Sequence, residues 1–122
     1  MLFERRSMRV ELRTEAISDL VEAAWFYERQ RSGLGEQFSD AMFAHLAYLE
    51  TVAGGHEVVF GLHRMLAKRF PYALYYKVDG ELVDVVAILD CRRNPGGIFR
   101  TLANRGSPDE RSDPPENSAV RY

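Results

Sequence analysis

The stretch LHRMLAKRFPYALYYKVDGELVDVVAILDCRRNP, Leu62 to Pro95, decides how this chain folds. It divides into three runs rich in apolar and β-branched residues: Leu62 to Phe70, Tyr72 to Val78 and Glu81 to Cys91. Asp79-Gly80 stands between the second and third runs. Asp-Gly in that position marks a β-hairpin, because a type I′ turn needs positive φ at both central residues. Pro71 has no N–H to give a ladder, so it breaks the pairing between the first and second runs. From Leu82 to Leu89 only Asp84 interrupts the apolar character. Such a run predicts a central strand, covered on at least one face and carrying a bulge. The cover must come from residues earlier in the chain.

Those earlier residues read as one strand and two helices. Met8 to Leu12 alternates apolar and polar, which predicts a half-buried strand, and Met1 to Ser7 reads as an extension before it. Thr14 is the expected N-cap of the first helix, with Glu15 in its first turn. Ile17, Leu20, Val21, Ala24 and Glu28 then recur at helical spacing to about Gln30. Trp25, Phe26 and Tyr27 are consecutive, so their rings must spread over more than one face and serve a second element or a partner. Gly33 suits the left-handed position after a helix end, with Leu34 as its apolar contact. A second helix is predicted from about Glu36 to Ala53, stopped by Gly54-Gly55. Phe38, Met42, His45, Leu46 and Leu49 form one stripe of it, and Phe43, Ala44, Ala47 and Tyr48 a second, so it expects cover from two sides. The short link folds the two helices into an antiparallel hairpin. The order β-α-α-β-β-β predicts an α+β fold, a helical hairpin packed on a small, mainly antiparallel twisted sheet. The pattern stops near Ala103, and residues 106–122, with Pro108, Pro114 and Pro115 among polar residues, read as a disordered tail.

With 122 residues the chain has room for one core, and its 46% apolar content is ordinary for a globular domain. No apolar run approaches the ~20 residues of a membrane helix. Met1-Leu2-Phe3 is too short for the apolar part of a signal peptide, and Arg5-Arg6 follows it where the charge should precede. A single cysteine, Cys91, excludes an internal disulfide and fits a reducing compartment, so a cytoplasmic location is expected. Charge is uneven along the chain. Thr14 to Glu57 holds eight acidic residues against two basic, whereas Arg64 to Arg105 holds eight basic against four acidic. Such asymmetry can mark an anion-binding face, but an excess of four is modest, and charge alone favours solvated helices beside a mildly basic sheet.

Few residues suggest catalysis. His45, His56 and His63 lack metal-ligand spacing and read as structural, and neither a Ser-His-Asp nor a Cys-His arrangement is legible. The glycine pairs lack the strand-then-helix context of a phosphate loop, and no cofactor motif is present. Asp84 and Asp90 read as residues of one strand face with arginine partners. The basic set is more informative: Arg64, Lys68 and Arg69 on or beside one strand, Arg92 and Arg93 where the last strand leaves the sheet, then Arg100 and Arg105. It reads either as a carboxylate- or polyanion-binding patch or as a strand edge kept basic to prevent edge pairing.

Four stretches then carry a family resemblance: Gly33-Leu34-Gly35-Glu36-Gln37-Phe38, Arg69-Phe70-Pro71-Tyr72-Ala73-Leu74-Tyr75-Tyr76, Val85-Val86-Ala87-Ile88-Leu89 and Arg92-Arg93-Asn94-Pro95. In this order and at these separations, residues 8–105 resemble the RelE/ParE superfamily of type II toxin–antitoxin toxins. The resemblance implies the layout derived above and a cognate antitoxin, ParD-like, encoded by a neighbouring gene. RelE-like members cut mRNA on the ribosome; ParE-like members inhibit DNA gyrase. A RelE-type enzyme would carry arginine at Ala73 and tyrosine near Phe99, and many relatives carry histidine at Asp90. Alanine cannot stabilise a phosphorane, and phenylalanine cannot exchange a proton. The resemblance therefore implies the ParE-like branch, with no catalytic residue, cofactor or metal. It places Arg64, Lys68, Arg69, Arg92, Arg93, Trp25, Phe26 and Tyr48 against antitoxin or gyrase, with no membrane contact and no nucleic acid bound without the antitoxin. The alternatives are a RelE-like mRNA interferase and an inactive antitoxin-binding relative.

Overall fold

The computed structural model describes residues 8–105; the expected extension (1–7) and tail (106–122) lie outside the described residues. Five strands form one sheet: β1 (Arg9–Leu12), β2 (Val58–Val59), β3 (Leu62–Leu66), β4 (Tyr72–Asp79) and β5 (Leu82–Asp90). Their spatial order is β1-β5-β4-β3-β2, with β1 parallel to β5 and every other pair antiparallel. Helices α1 (Thr14–Gln30) and α2 (Leu34–Val52) lie on one face. This is the predicted α+β hairpin-on-sheet fold, with two short elements added: β2, and a third helix, α3 (Pro95–Asn104).

The predicted β4–β5 hairpin forms, but around a different pair of residues. Asp79 pairs with Leu82, so the loop is Gly80-Glu81, and Gly80 alone takes positive φ, at 63°. That is the type II′ pattern, positive φ at the first central residue only. The bulge is present. Tyr75 pairs with Ala87 and Tyr76 with Val85, which leaves Val86 as the extra residue on β5. One consequence corrects the reading of the two aspartates. Strand alternation resets at Val86, so Asp84 lies on the α3 face and Asp90 on the hairpin face, beside Tyr27 and Tyr72. Each does pair with cations: Asp84 with Arg13 at 3.0 Å and Lys77 at 3.8 Å, Asp90 with Arg92 at 2.8 Å.

The helices pack by small residues more than the spacing suggested. Residues Ala16, Leu20, Ala23 and Tyr27 are buried in α1, whereas Ile17 and Val21 face outward. Alanines let α1 approach the sheet, and Tyr27 then reaches Phe38, Phe70 and Tyr72 at ring-centroid distances of 5.2, 5.0 and 6.2 Å. Thr14 is not the cap. Arg13 holds the N-cap position with no side-chain cap bond. Gly33, at φ 90°, does adopt the left-handed conformation, but as the N-cap of α2, which begins at Leu34. Glu28, expected on the apolar stripe, caps that helix instead: its carboxylate accepts from Gly33 N–H at 3.0 Å and Gly35 N–H at 2.9 Å.

The helix α3 covers the opposite sheet face with Ile98 and Leu102, against Leu62, Ala73, Tyr75, Val86, Ala87 and Leu89. Asn94 starts it, accepting Gly97 N–H at 2.7 Å on its side-chain oxygen, with Pro95 in the first turn. β3 stops at Leu66 rather than at Phe70. From Ala67 the chain turns, with Ala67 N–H bonded to Tyr72 C=O at 2.8 Å.

Candidate partner-binding site

Both outer strands are too short to finish the sheet. β1 covers only Leu82 to Val85 of β5, and β2 covers only Leu62 and His63 of β3. Each uncovered half-edge lies at the end of the sheet where α1 turns into α2, and each lines a groove under one of the helices.

The β5 side is partly sealed by side chains. Asp19 of α1 accepts Ile88 N–H at 2.9 Å, and Arg105 donates to Val86 C=O at 3.1 Å. The two also bond each other, at 2.6 and 2.8 Å. An ion pair thus stands where a sixth strand would pair, and it ties the end of α3 to α1. Beside it lies a groove of about 680 Å³ lined by Trp25, Phe26, Arg29, Asp90 and Arg93 among others. Trp25 is 59% exposed. Arg93 donates to Thr101 Oγ1 at 2.9 Å and has no carboxylate partner among the described residues. The Arg92 hydrogen bond holds the Asp90 carboxyl below the usual range, and burial pushes the Tyr72 phenol up to about 12.

On the β3 side no side chain among the described residues closes the edge. Arg64 N–H reaches Glu57 C=O at 2.9 Å, and beyond that no strand covers β3 among the described residues. A groove of about 620 Å³ runs between this edge and α2, lined by Tyr48, Met65, Leu66, His45, Arg64 and Lys68 among others. Tyr48 is 57% exposed. Two N–H groups of Arg64 donate to one carboxylate oxygen of Glu57, and the Tyr75 phenol lies beside the guanidinium. Lys68 and Arg69 face a smaller depression with Asp40 and are exposed and without an ion-pair partner among the described residues.

The candidate residues therefore do not form one patch. Tyr48, Arg64, Lys68 and Arg69 gather on the β3 side; Trp25, Phe26 and Arg93 gather on the β5 side, with Arg92 next to them and spent on Asp90. Arg29 joins the second group and was not expected there; its place one turn after Trp25 on a helix was the available signal.

The histidines hold structure together. His45 Nδ1 contacts Ala41 C=O at 2.7 Å, and His63 Nδ1 contacts His56 C=O at 2.8 Å while its ring stacks on Tyr76. The Tyr76 hydroxyl accepts Gly54 N–H at 2.9 Å and meets His56 Nδ1 at 2.5 Å, pinning the end of α2 to the sheet. Partial burial, then the nearby His63, lowers the His56 pKa. A depressed histidine stabilises the fold while neutral, so that contribution is whole above the unfolded value of about 6.5 and is lost as pH falls through it toward the folded value. Melting temperature is expected to drop between pH 7 and 5, and the drop to shrink in His56→Gln. An equal drop in both proteins would remove His56 as the cause.

Neither a scan of protein-family models nor a search of curated proteins matches this sequence. A search of solved structures does find similar chains. One belongs to the structure described as "Chromosomal ParDE TA system from P. aeruginosa", with a TM-score of 0.61 and 17% identity, covering 67% of this chain and 94% of that one. The likeness is one of fold. It takes in nearly all of the ParDE-system chain and about two thirds of this one.

Proposed function

We propose that this chain is the toxin of a type II toxin–antitoxin module, that it acts by gripping DNA gyrase without breaking covalent bonds, and that an antitoxin encoded beside it neutralises it. The observation that carries the reading is the fold shared with a chain of a ParDE system, together with the four sequence stretches that resemble the superfamily. What occupies the reserved positions favours binding over cleavage. Ala73 is fully buried under α3, and Phe99 stands exposed with its ring edge-on to Phe60 at 5.2 Å. Neither side chain can hold or move a proton. The exposed aromatics Trp25, Phe26, Phe43 and Tyr48, 43–59% accessible, are the kind of surface a macromolecular partner covers.

No helix among the described residues is long and apolar enough to cross a membrane, and the reading places the chain in the cytoplasm with its target. A second reading, a ribosome-dependent mRNA interferase, draws on one arrangement: Arg64 and Arg93 both lie close enough to the Tyr75 phenol for their charges to act on it. Induction in cells with two readouts separates the two. A DNA-damage response that rises first, and is lost in Arg93→Ala, supports gyrase. Translation that collapses first, with cleaved transcripts in a purified translation system, overturns the binding reading. No growth effect alongside intact antitoxin binding leaves an inactive relative.

A further inference from the structure

Helix α1 is apolar on two sides, and only one of them is covered. Ala16, Leu20, Ala23 and Tyr27 face the sheet and are buried. Val21, Trp25 and Phe26 point away from the core and stay 47, 59 and 43% accessible. Two charged residues bracket the aromatic pair. Glu22 stands three residues before Trp25, and Arg29 three after Phe26. Both are exposed, and neither forms an ion pair among the described residues. Helical geometry sets them about 10 Å apart along the axis and within about 20° of each other around it. The order acid, aromatic, aromatic, base on one side of a helix is its own complement when turned end for end. A surface that meets itself about a twofold axis needs this property, because residue i of one copy then faces j of the other while j faces i.

We propose that α1 is a homodimer interface, on which a second copy of this chain packs antiparallel about a twofold axis passing between Trp25 and Phe26. Trp25 and Phe26 then meet their own counterparts at the centre of the contact. Glu22 meets Arg29 of the second copy at one end, and Arg29 meets Glu22 of the second copy at the other. A parallel arrangement would set Glu22 against Glu22 and Arg29 against Arg29, so charge fixes the direction. Only one helix from each copy contributes, which keeps the buried area below the roughly 1,600 Å² of a standard interface. The dimer therefore forms and parts with concentration. The second copy covers Trp25, Phe26 and Arg29 of the α1–β5 groove, so a partner that uses those residues binds the single chain. The inference rests on α1 alone and is independent of the target that the toxin reading assigns.

Sedimentation equilibrium of the purified chain tests it. The mean mass should climb from one chain toward two between roughly 1 and 100 μM. Trp25 is the chain's one tryptophan, so its fluorescence should become harder to quench with acrylamide over the same range. Glu22→Arg and Arg29→Glu should each weaken the dimer about tenfold or more, since each sets like charges together twice. Both positions are exposed, so the fold should survive each change. The double variant Glu22→Arg/Arg29→Glu rebuilds both pairs in reverse and should recover the dimer. A chain that stays monomeric at the highest concentration overturns the interface. So does a dimer whose Trp25 is as open to quencher as in the monomer, or a double variant that associates no more tightly than the single ones.

Discussion

Replacing Asp19 with alanine is expected to destabilise the chain by about 3 kcal/mol, because one carboxylate serves three needs at once. Asp19 accepts the Ile88 N–H, neutralises Arg105 and, through Arg105, fastens the end of α3. Its side chain is 12% accessible and that of Arg105 is 16%, so water can replace little of what is lost. The variant leaves an N–H without an acceptor and a guanidinium without its anion. Arg105→Ala should cost less, since the carboxylate keeps its bond to Ile88. In the double variant the two losses should fall short of their sum, because the second removal finds no charge left behind. Urea denaturation of the four proteins measures all of this. A loss under about 1 kcal/mol for Asp19→Ala would place the pair among ordinary surface bridges and remove its role as an edge seal.

The second large effect is expected where the two helices cross. A methyl group at Gly35 would sit 2.4 Å from Ala24 C=O and 2.9 Å from Glu28 Cβ. The first of these atoms is backbone, so it can yield only if α1 and α2 separate. The shift would also pull Gly35 N–H from the Glu28 carboxylate that caps α2 and loosen the packing of Tyr27 on Phe38. Gly35→Ala should therefore cost about 3 kcal/mol, at the upper end of overpacking, although alanine is intrinsically the better helix former. Thermal or urea melts test it. A neutral or stabilising result would mean that the hairpin slides apart without penalty, and with it the close helix contact would lose its importance.

Much of the fold was legible because it depends on local pattern. The runs on either side of Asp79-Gly80 carry their own β character, and Gly33 and Gly54 mark helix ends wherever the rest of the chain lies. The features that were missed depend on distant residues. Ala16 and Ala23 look neutral in a helix until the sheet below rewards close approach, whereas Ile17 and Val21 look like core and are not. Gly96-Gly97 masks the helical tendency of α3, which is held by Leu62, Tyr75 and Val86 beneath it and by Asp19 at its end. Among the candidate site residues, the chemistry of Arg64, Lys68, Arg69, Arg92 and Arg93 was readable from type and position. Their grouping was not, since an arginine whose side chain pairs with Asp90 and one whose side chain bonds Thr101 are neighbours in sequence.

Composition, apolar period and turn chemistry by themselves determined a single α+β unit with a basic end to its sheet, because those properties act within a few residues of one another. Only the tertiary structure decided that the basic residues divide between two grooves. That division follows from where two short strands stop, and a strand stops where its partner's backbone is no longer within hydrogen-bonding reach, which no local stretch of chain can record.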